Sequence, residues 1–309
     1  MIGVEIKERL GNQLFRYAFA RKLQLERADA DLLFGESFFK GKDASQGWCN
    51  GLEDFNIAPH RRSGHKLVYF EGSLAQKLLL LAFYLDIKIL RKPRSLKERH
   101  GRQNAWNRRL QKHGLAVVYD NAYEPSFPDK GNVFLEGSFE NTKYFDCIRP
   151  RLLEELTPKQ APLPQNAGLY EAIAKRNSVC VSVRRGDFLS NRFRDVFDVC
   201  TEGYYRRAIE EMRRRVEDPV FIFFSDDIEW VRKHLAGPQD LCESGSDPNW
   251  EKLRLMYSCK HYILSNSTFA WWAQYLCRNK DKVVLAPERW FNDDRPQHLL
   301  LDSFIKIKV

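Results

Sequence analysis

The sequence predicts an α/β protein with two domains, each built on a parallel sheet. Strand-like and helix-like segments alternate along the 309 residues, and the strand predicted at residues 179–183 is a largely apolar, β-branched run. Runs of this kind are typical of parallel strands that helices cover on both faces. Three prolines between residues 158 and 164 favour an extended connector. We therefore expect domains at residues 1–157 and 158–309.

The N-terminal half combines short strands with helices. Strand-like runs occur at residues 4–6, 32–34, 67–70 and 133–135, and apolar residues at helical spacing predict helices at 12–26, 74–90 and 142–156. The apolar stretch at 78–85 is far shorter than the ~20 residues that span a bilayer. We expect a buried helix there.

The C-terminal half is more regular. Strands are predicted at 179–183, 220–224, 262–264 and 283–286, and helices at 204–216, 227–235 and 267–277. In such parallel sheets ligands bind beyond the carboxyl ends of the strands. The residues that follow each strand are therefore the candidate site residues.

Cysteine and histidine usage argues against a disulfide framework and a metal site. The seven cysteines are scattered without a Cys-x-x-Cys pair, and the seven histidines form no metal-binding motif. The N-terminal residues lack the basic flank and apolar core of a signal peptide. We expect reduced thiols, no required metal and a cytoplasmic location.

Positive charge is concentrated in one segment. Residues 88–113 contain ten Lys or Arg and one acid, Glu98, a local excess equal to the formal charge of +9 of the whole chain. Such a patch suits nucleic acid, an anionic membrane surface or an acidic glycan. A solvated helical surface explains it equally well.

Two arginines follow the first strand of the C-terminal half. Arg184 and Arg185 leave the strand, and Asp187 comes shortly after. Guanidinium groups at a strand end suit bidentate contacts with phosphate. A salt bridge that closes the turn is the structural alternative, and an exposed Arg-Gly-Asp adhesion motif is a weaker one.

Polar residues also follow the next two strands. Ser225, Asp226 and Asp227 begin a helix, where they either cap it or bind a nucleobase or ribose. A later helix begins with small polar residues whose backbone N–H groups suit a pyrophosphate, or which only cap the helix. The polar residues are Asn266, Ser267 and Thr268, and Phe269 adds a further backbone N–H. The N-terminal half offers Asn12 and Gln13 after Gly11, at a strand-to-helix junction.

In order and spacing, these segments resemble the α-1,2-fucosyltransferases. The resemblance rests on the Gly-Asn turn at 11–15, an Arg-Arg-x-Asp motif at 184–187, and the Phe-Ser-Asp-Asp and Asn-Ser-Thr-Phe-Ala-Trp-Trp stretches. Residues 135–145 and 286–291 match further family segments. Ser182 stands where many members have histidine, and Ile228 where many have proline.

The resemblance implies a GT-B-like enzyme, in which two Rossmann-like domains with parallel sheets face each other across a cleft. It implies transfer of L-fucose from GDP-fucose to the 2-hydroxyl of a galactose-terminated oligosaccharide or a lipid-linked glycan. Inversion at the anomeric carbon without a metal is implied as well. This chain looks like the soluble bacterial members, and the 88–113 patch suggests a peripheral contact with the inner membrane face.

The resemblance also assigns roles. Arg184, supported by Arg185 and the N–H groups of residues 267–269, would stabilise the departing diphosphate. Asp226 or Asp227 would contact guanine or ribose, and Asn12 and Gln13 would close over the donor. Asp187 would either orient Arg184 or act as the base, and a path in which the leaving phosphate takes the proton would need no protein base. Remaining alternatives are a fucosyltransferase of another linkage, an inactive GDP-sugar-binding relative, and a basic nucleic-acid-binding protein, the last without a recognition motif.

Overall fold

The protein is represented by a computed structural model that describes residues 1–28, 30–90, 93, 95–190 and 194–309. The chain divides into two compact units. The first comprises residues 1–53 and 57–155, and the second residues 54–56 and 156–309. The boundary predicted after residue 157 lies close to this division, and it remains a prediction about separately folding domains.

The first unit contains a five-stranded parallel sheet with the strand order β3-β2-β1-β5-β4. Its strands are β1 (Ile2–Glu5), β2 (Leu32–Gly35), β3 (Arg61–Ser63), β4 (Leu115–Val118) and β5 (Val133–Gly137). Its helices are α1 (Leu10–Glu26), α2 (Leu67–Glu71), α3 (Leu74–Leu85), α4 (Leu96–Leu110) and α5 (Arg149–Glu155). The sequence predicted neither β3, β4 nor α4.

Helices cover both faces of this sheet. Leu33 packs into a cluster with residues of α2, α3 and α4. Its neighbour Phe34 points the other way, where it meets Tyr17 of α1 at a ring distance of 6.3 Å. Alternate residues of a strand therefore reach two different cores, as expected of a buried parallel sheet.

The strand predicted at residues 67–70 is wrong, because these residues form the helix α2. The carboxylate of Glu5 accepts a hydrogen bond of 2.8 Å from the backbone N–H of Leu67. An acceptor at this position stabilises a helix start. Four apolar or aromatic residues in a row fit either structure, so periodicity could not distinguish them.

Two of the helices predicted in the first unit are α-helical over only part of the predicted range. α3 ends at Leu85 and continues as a π-helical turn, Asp86–Leu90. The helix predicted at 142–156 is two 3₁₀ turns followed by α5, whose second residue, Pro150, cannot donate to a preceding helical turn. The expected burial of residues 78–85 is also wrong, since Leu78 is 56% exposed.

The second unit contains a six-stranded parallel sheet with the strand order β11-β10-β9-β6-β7-β8. Its strands are β6 (Asn177–Val183), β7 (Pro219–Ser225), β8 (Leu241–Cys242), β9 (His261–Ile263), β10 (Val284–Pro287) and β11 (Ile305–Ile307). Its helices are α6 (Ala167–Lys175), α7 (Arg194–Phe197), α8 (Glu202–Arg215), α9 (Ile228–His234), α10 (Asn249–Ser258) and α11 (Thr268–Leu276).

Helices again cover both faces of the sheet. Val179, Val181 and Val183 of β6 pack against α8 and α9. On the other face, the Ser178 hydroxyl bonds to α6, and the Tyr262 hydroxyl bonds to the C-terminal turn of α10. Two helix-covered parallel sheets confirm the predicted α/β class with two Rossmann-like units. Among the described residues, no helix combines the length and hydrophobicity needed to cross a membrane.

A buried carboxylate ties together the carboxyl ends of β1, β4 and β5. Glu136 accepts hydrogen bonds from Lys7 at 2.7 Å, Tyr84 at 2.8 Å and Tyr119 at 3.2 Å, and Lys66 lies 3.1 Å away. Burial alone would raise the pKa of Glu136, but the two ammonium groups and the hydrogen bonds lower it to about 2. The ionised side chain is therefore a stabilising centre of this edge.

We expect Glu136→Gln to lower the free energy of unfolding by about 2 kcal/mol at neutral pH. The folded-state pKa lies below its ordinary value of 4.5. The stabilisation of the folded state by ionised Glu136 is therefore complete above about pH 4.5 and is lost as the pH falls towards about 2. Urea unfolding between about pH 3 and pH 7 measures this.

The matched control is Glu124→Gln, because Glu124 is an exposed carboxylate of the same unit. The free energy of unfolding of Glu124→Gln should equal that of the wild type at every pH measured. Equal stability of Glu136→Gln and wild type at neutral pH, or an unchanged acid dependence, would contradict this account of the network.

Candidate functional site

The register of the second sheet brings two candidate segments together. β6 and β7 are parallel and in step along their whole length, so that Val183 lies beside Ser225 at their carboxyl ends. The residues that leave these strands, 184–187 and 226–227, therefore emerge side by side.

Arg184 lies between two carboxylates at this edge. Its Nη2 atom is 2.5 Å from Oδ1 of Asp187, and its Nη1 atom is 2.6 Å from Oδ2 of Asp226. The guanidinium carbon is 5.3 Å from the centre of the Phe188 ring. The side chain remains 24% exposed, so its head group is held in a defined orientation yet is open to a ligand.

Arg185 is fixed by the neighbouring strand end. Its backbone N–H donates to Oδ1 of Asp226 at 2.9 Å, and its Nε–H donates to Oδ2 of Asp227 at 3.1 Å. The guanidinium lies over the Trp230 ring, 3.8 Å from its centre. A cation–π contact at this distance holds the planar group in place.

Gly186 makes this close packing possible. A Cβ atom built at this position would lie 2.6 Å from Oδ2 of Asp226, the same oxygen that binds Arg184. No larger residue fits without moving the carboxylate. The glycine between the arginines and Asp187 is thus required by the approach of Asp226.

The Ser-Asp-Asp segment caps α9 as well, but the N-cap is Asp227 and not Ser225 or Asp226, the two residues that the sequence favoured. The Ser225 hydroxyl accepts from the N–H of Asp227 at 3.0 Å, and Asp227 caps α9 by accepting from the N–H of Trp230 at 3.2 Å. Asp227 thus divides its two oxygens between the helix and Arg185. Asp226 makes no cap and has both oxygens turned towards the arginine segment.

The third predicted segment follows β9. Asn266 is buried, and its Nδ2 donates to the carbonyls of Phe197 and Trp290 at 3.0 Å each. Its side chain therefore stabilises the surrounding loops. Ser267, Thr268 and Phe269 are half-buried at the start of α11, and Ser267 makes no side-chain cap.

Ser182, the residue in place of the family histidine, is buried beside the third segment. Its hydroxyl lies 3.1 Å from that of Ser265. Two small hydroxyls therefore connect β6 to the residue that follows β9.

The predicted pair in the first unit has two different environments. Asn12 is half-buried and donates to Oε2 of Glu8 at 2.7 Å. Gln13 is fully buried; its Nε2 donates to the carbonyls of Glu8 and Cys49 at 2.8 Å each, and its Oε1 accepts from the N–H of Gly51 at 2.9 Å. The amide of Gln13 thus holds two loops together.

Sequence reasoning missed a polar cluster at the carboxyl edge of the first sheet. The buried Arg16 donates to the carbonyls of Gly137 and Lys7 and to the carboxylate of Glu8, each at 2.8 Å. Arg16 thereby clamps the loops that follow β1 and β5. Glu8 has a φ of 65° and Phe139 a φ of 55°, left-handed conformations that are unusual for such residues.

Glu140 follows Phe139 and lies near Glu8. Burial and the negative charge of Glu8 raise the pKa of Glu140 to about 7, although Arg16 partly opposes this. Burial likewise disfavours ionisation of Glu8, but Arg16 and Asn12 outweigh it and lower the pKa of Glu8. The pKa values of Glu8 and Glu140 are thus shifted in opposite directions. Their position after strand ends was the only signal in the sequence that could have identified them.

The chemistry of the second unit's edge is that of an anion site. Two aligned guanidiniums suit a phosphorylated ligand, and the carboxylates beside them suit a ribose or nucleobase. Across the described ranges, no group of three His, Cys, Asp or Glu side chains is arranged to hold a metal ion.

Relatives of this chain are sugar-transferring enzymes. An Escherichia coli α-1,2-colitosyltransferase is 34% identical over 167 residues, which are 52% of this chain and 57% of that protein. The E. coli O-antigen biosynthesis glycosyltransferase WbnK is 26% identical over 313 residues, covering 96% of this chain and 97% of its own length. Galactoside α-(1,2)-fucosyltransferase 1 of Lagothrix lagotricha is 37% identical over 118 residues, 36% of this chain and 31% of that enzyme.

Among solved structures, the NodZ α-1,6-fucosyltransferase soaked with GDP-fucose aligns over 89% of this chain and 92% of its own, with 13% identity and a TM-score of 0.49. Residues 72–306 match glycosyl transferase family 11. This match covers well over half of the 309 residues and confirms the resemblance indicated by the motifs. The chain belongs to glycosyl transferase family 11.

Proposed function

We propose that this chain transfers L-fucose from GDP-fucose to the 2-hydroxyl of an acceptor sugar, with inversion at the anomeric carbon. The observation that carries the proposal is the placement of Arg184, held between Asp187 and Asp226 with its head group accessible. Family membership supplies the reaction class, and the names of the relatives support the α-1,2 linkage.

Arg184 would stabilise the leaving group. As the bond between the sugar and the diphosphate breaks, negative charge grows on the phosphate oxygens and needs preorganised donors. Its contacts use one N–H of each terminal nitrogen, and the remaining N–H groups suit phosphate oxygens. Arg185 and the N–H groups at Ser267–Phe269 would add to this field.

The charges of the cluster indicate how the donor enters it. Two guanidiniums face three carboxylates, so the ionised group carries one net negative charge. A diphosphate is therefore accepted only if a carboxylate turns away from the arginines. We infer that Asp226 turns to the guanine or ribose and thereby frees Arg184 for phosphate.

The arrangement favours an orienting role for Asp187. Its carboxylate already binds Arg184 at 2.5 Å, and this charge-assisted contact fixes the direction of the guanidinium. We propose that Asp187 holds the guanidinium in position. Asn12 would act next to the acceptor-side loops, and Gln13 through the loops that it holds.

Glu140 is the better candidate for the base. A carboxyl group whose pKa is about 7 can accept a proton from a sugar hydroxyl near neutral pH. The carboxylate of Glu8 lies close to Glu140 and also to the exposed Tyr119, and aromatic and carboxylate groups are suited to sugar binding. We propose that this edge of the first unit binds the acceptor.

The partners follow from the reaction. The donor is GDP-fucose, and the acceptor a galactose-terminated oligosaccharide or lipid-linked glycan. The guanidiniums would supply the positive charge that other transferases take from a metal, so we propose that none is required. Colitose is the alternative donor sugar, because one relative is a colitosyltransferase.

The membrane contact predicted for residues 88–113 stays a prediction for that segment, since Arg91, Lys92 and Arg94 lie outside the described residues.

With GDP-fucose, galactose-terminated acceptors and a chelator, we expect a product that carries an α-linked fucose on the galactose 2-hydroxyl. Mass spectrometry detects the transfer, and NMR assigns the linkage and anomer. A parallel reaction with a GDP-linked colitose tests the donor. Fucose at another hydroxyl, or activity that the chelator abolishes, would contradict the proposal.

Replacing Arg184 by lysine should lower kcat about 100-fold, because lysine keeps the charge but loses the planar fork. The matched control is Arg206→Lys, since Arg206 forms an exposed ion pair with Glu202 on α8 of the same unit. The control should keep wild-type kcat. Arg184→Lys activity within a few-fold of wild type would remove Arg184 from the mechanism.

The rate should rise with pH through about 7 as Glu140 loses its proton and level off above it. Glu140→Gln should lower kcat about 100-fold and remove this dependence. Glu8→Gln, which removes the neighbouring charge, should move the rise to lower pH. A Glu140→Gln variant with the wild-type pH profile would exclude this residue as the base. The transferase activity itself is tested separately, by product formation with the wild-type protein.

A further inference from the structure

One helix of the first unit exposes an apolar stripe to solvent. Leu74, Leu78, Leu81 and Leu85 of α3 follow each other at helical spacing and are 72%, 56%, 47% and 41% exposed. Leu25 and Tyr119 apart, all exposed large hydrophobic side chains of the described chain fall within residues 69–96. Isolated exposed leucines are ordinary, but a contiguous stripe marks an interaction surface.

The stripe is presented by a well-anchored helix. Leu80 and Phe83, on the opposite side of α3, are buried in the core of the unit. Ser73 and Gln76 form a reciprocal capping box at the helix start. Burial of one side and the capping box therefore anchor α3 while its leucines stay accessible.

Two further apolar side chains extend the stripe at its ends. Phe70 of α2 is 60% exposed, and Ile89, in the turn that follows α3, is 69% exposed. We refer to Phe70, Ile89 and the four α3 leucines as the leucine face.

Positive charge accompanies the leucine face. α3 packs against α4, where the Trp106 indole donates to the buried Asp86 at 2.7 Å. The exposed basic side chains on these elements and the turn after α4 are Lys88, Lys97, Arg99, Arg108, Arg109 and Lys112. Of the acids between residues 70 and 113, Glu71 is exposed at the end of α2, Asp86 is buried, and Glu98 is paired with Arg102 at 2.6 Å.

This charge pattern decides between possible occupants of the leucine face. A second copy of the chain would bring two basic surfaces together, and like charges across an interface oppose association. An anionic lipid surface offers acyl chains to the leucines and phosphate groups to the lysines and arginines. Amphipathic helices with this division of residues lie in the plane of a membrane interface.

We propose that the leucine face docks this protein onto an anionic lipid bilayer. The leucines and Phe70 would enter the boundary between head groups and acyl chains, while the basic side chains of α4 would contact lipid phosphates. The proposal concerns a surface outside the candidate donor site and stands whether or not the transferase reaction is confirmed.

Vesicle co-sedimentation of the full-length chain tests this surface. We expect binding to vesicles of phosphatidylglycerol and phosphatidylethanolamine in equal parts, and at least about tenfold weaker binding to phosphatidylcholine vesicles, because lipid charge contributes strongly. Leu78→Gln combined with Leu81→Gln should weaken binding to the anionic vesicles at least about tenfold.

The matched control is Leu25→Gln, since Leu25 is an equally exposed leucine, 42%, on α1. It should bind vesicles like the wild type. Circular dichroism verifies that all variants are folded, and sedimentation velocity reports self-association.

Three results would overturn the proposal. The first is that wild-type protein does not bind anionic vesicles at low salt. The second is that the double variant binds them like wild type. The third is a dimer that dissociates only in the double variant, which would assign the leucine face to a second copy of the chain.

Discussion

The parallel register between β6 and β7 is the constraint on which the candidate donor site depends. Because Val183 and Ser225 end their strands level with each other, the arginines after one strand meet the aspartates after the other. A shift of one residue would turn alternate side chains to the opposite face and separate Arg184 from Asp226. The core of buried valines and phenylalanines under this edge fixes the register, and Gly186 admits the close approach of Asp226. Packing in the sheet thus determines the geometry of the charges.

The charged groups at the carboxyl edges of the two sheets differ in their exposure and in their pKa shifts. In the second unit, two guanidiniums pair with three carboxylates in a partly exposed cluster, where Arg184 can exchange a carboxylate for a phosphate. In the first unit, burial is deeper, and the pKa values diverge. Glu136 is ionised because ammonium groups and hydrogen-bond donors surround it, whereas burial and the nearby Glu8 raise the pKa of Glu140 to about 7. A fixed anion is suited to holding loops together, and a group that titrates near pH 7 is suited to moving a proton.

The strands that carry the candidate donor site could be predicted from the sequence, because β6 and β7 are long apolar runs and polar residues follow them directly. The sequence did not predict the short strands β8 and β11 or the helices α6, α7 and α10. The same logic located Arg184, Asp226 and Asp227 before their contacts were known. It could not locate Glu140, because the pKa of this residue is raised by burial and by Glu8, which is far away in the sequence. It also failed for residues 67–70, where the carboxylate of Glu5 starts a helix. The sequence did not predict the exposed leucines of α3. A leucine-rich helix is expected to be buried unless it is known which of its faces packs against the core.

Calorimetric titration of GDP and GMP into the metal-free protein tests the central claim, that the arginine pair at the end of β6 holds a diphosphate. If it does, the wild type binds GDP at least about tenfold more tightly than GMP, about 1.4 kcal/mol. The same comparison in Arg184→Lys should lose most of that difference while GMP binding changes little. Equal affinities for the two nucleotides in the wild type, or a preference for GDP that survives in the variant, would contradict the account.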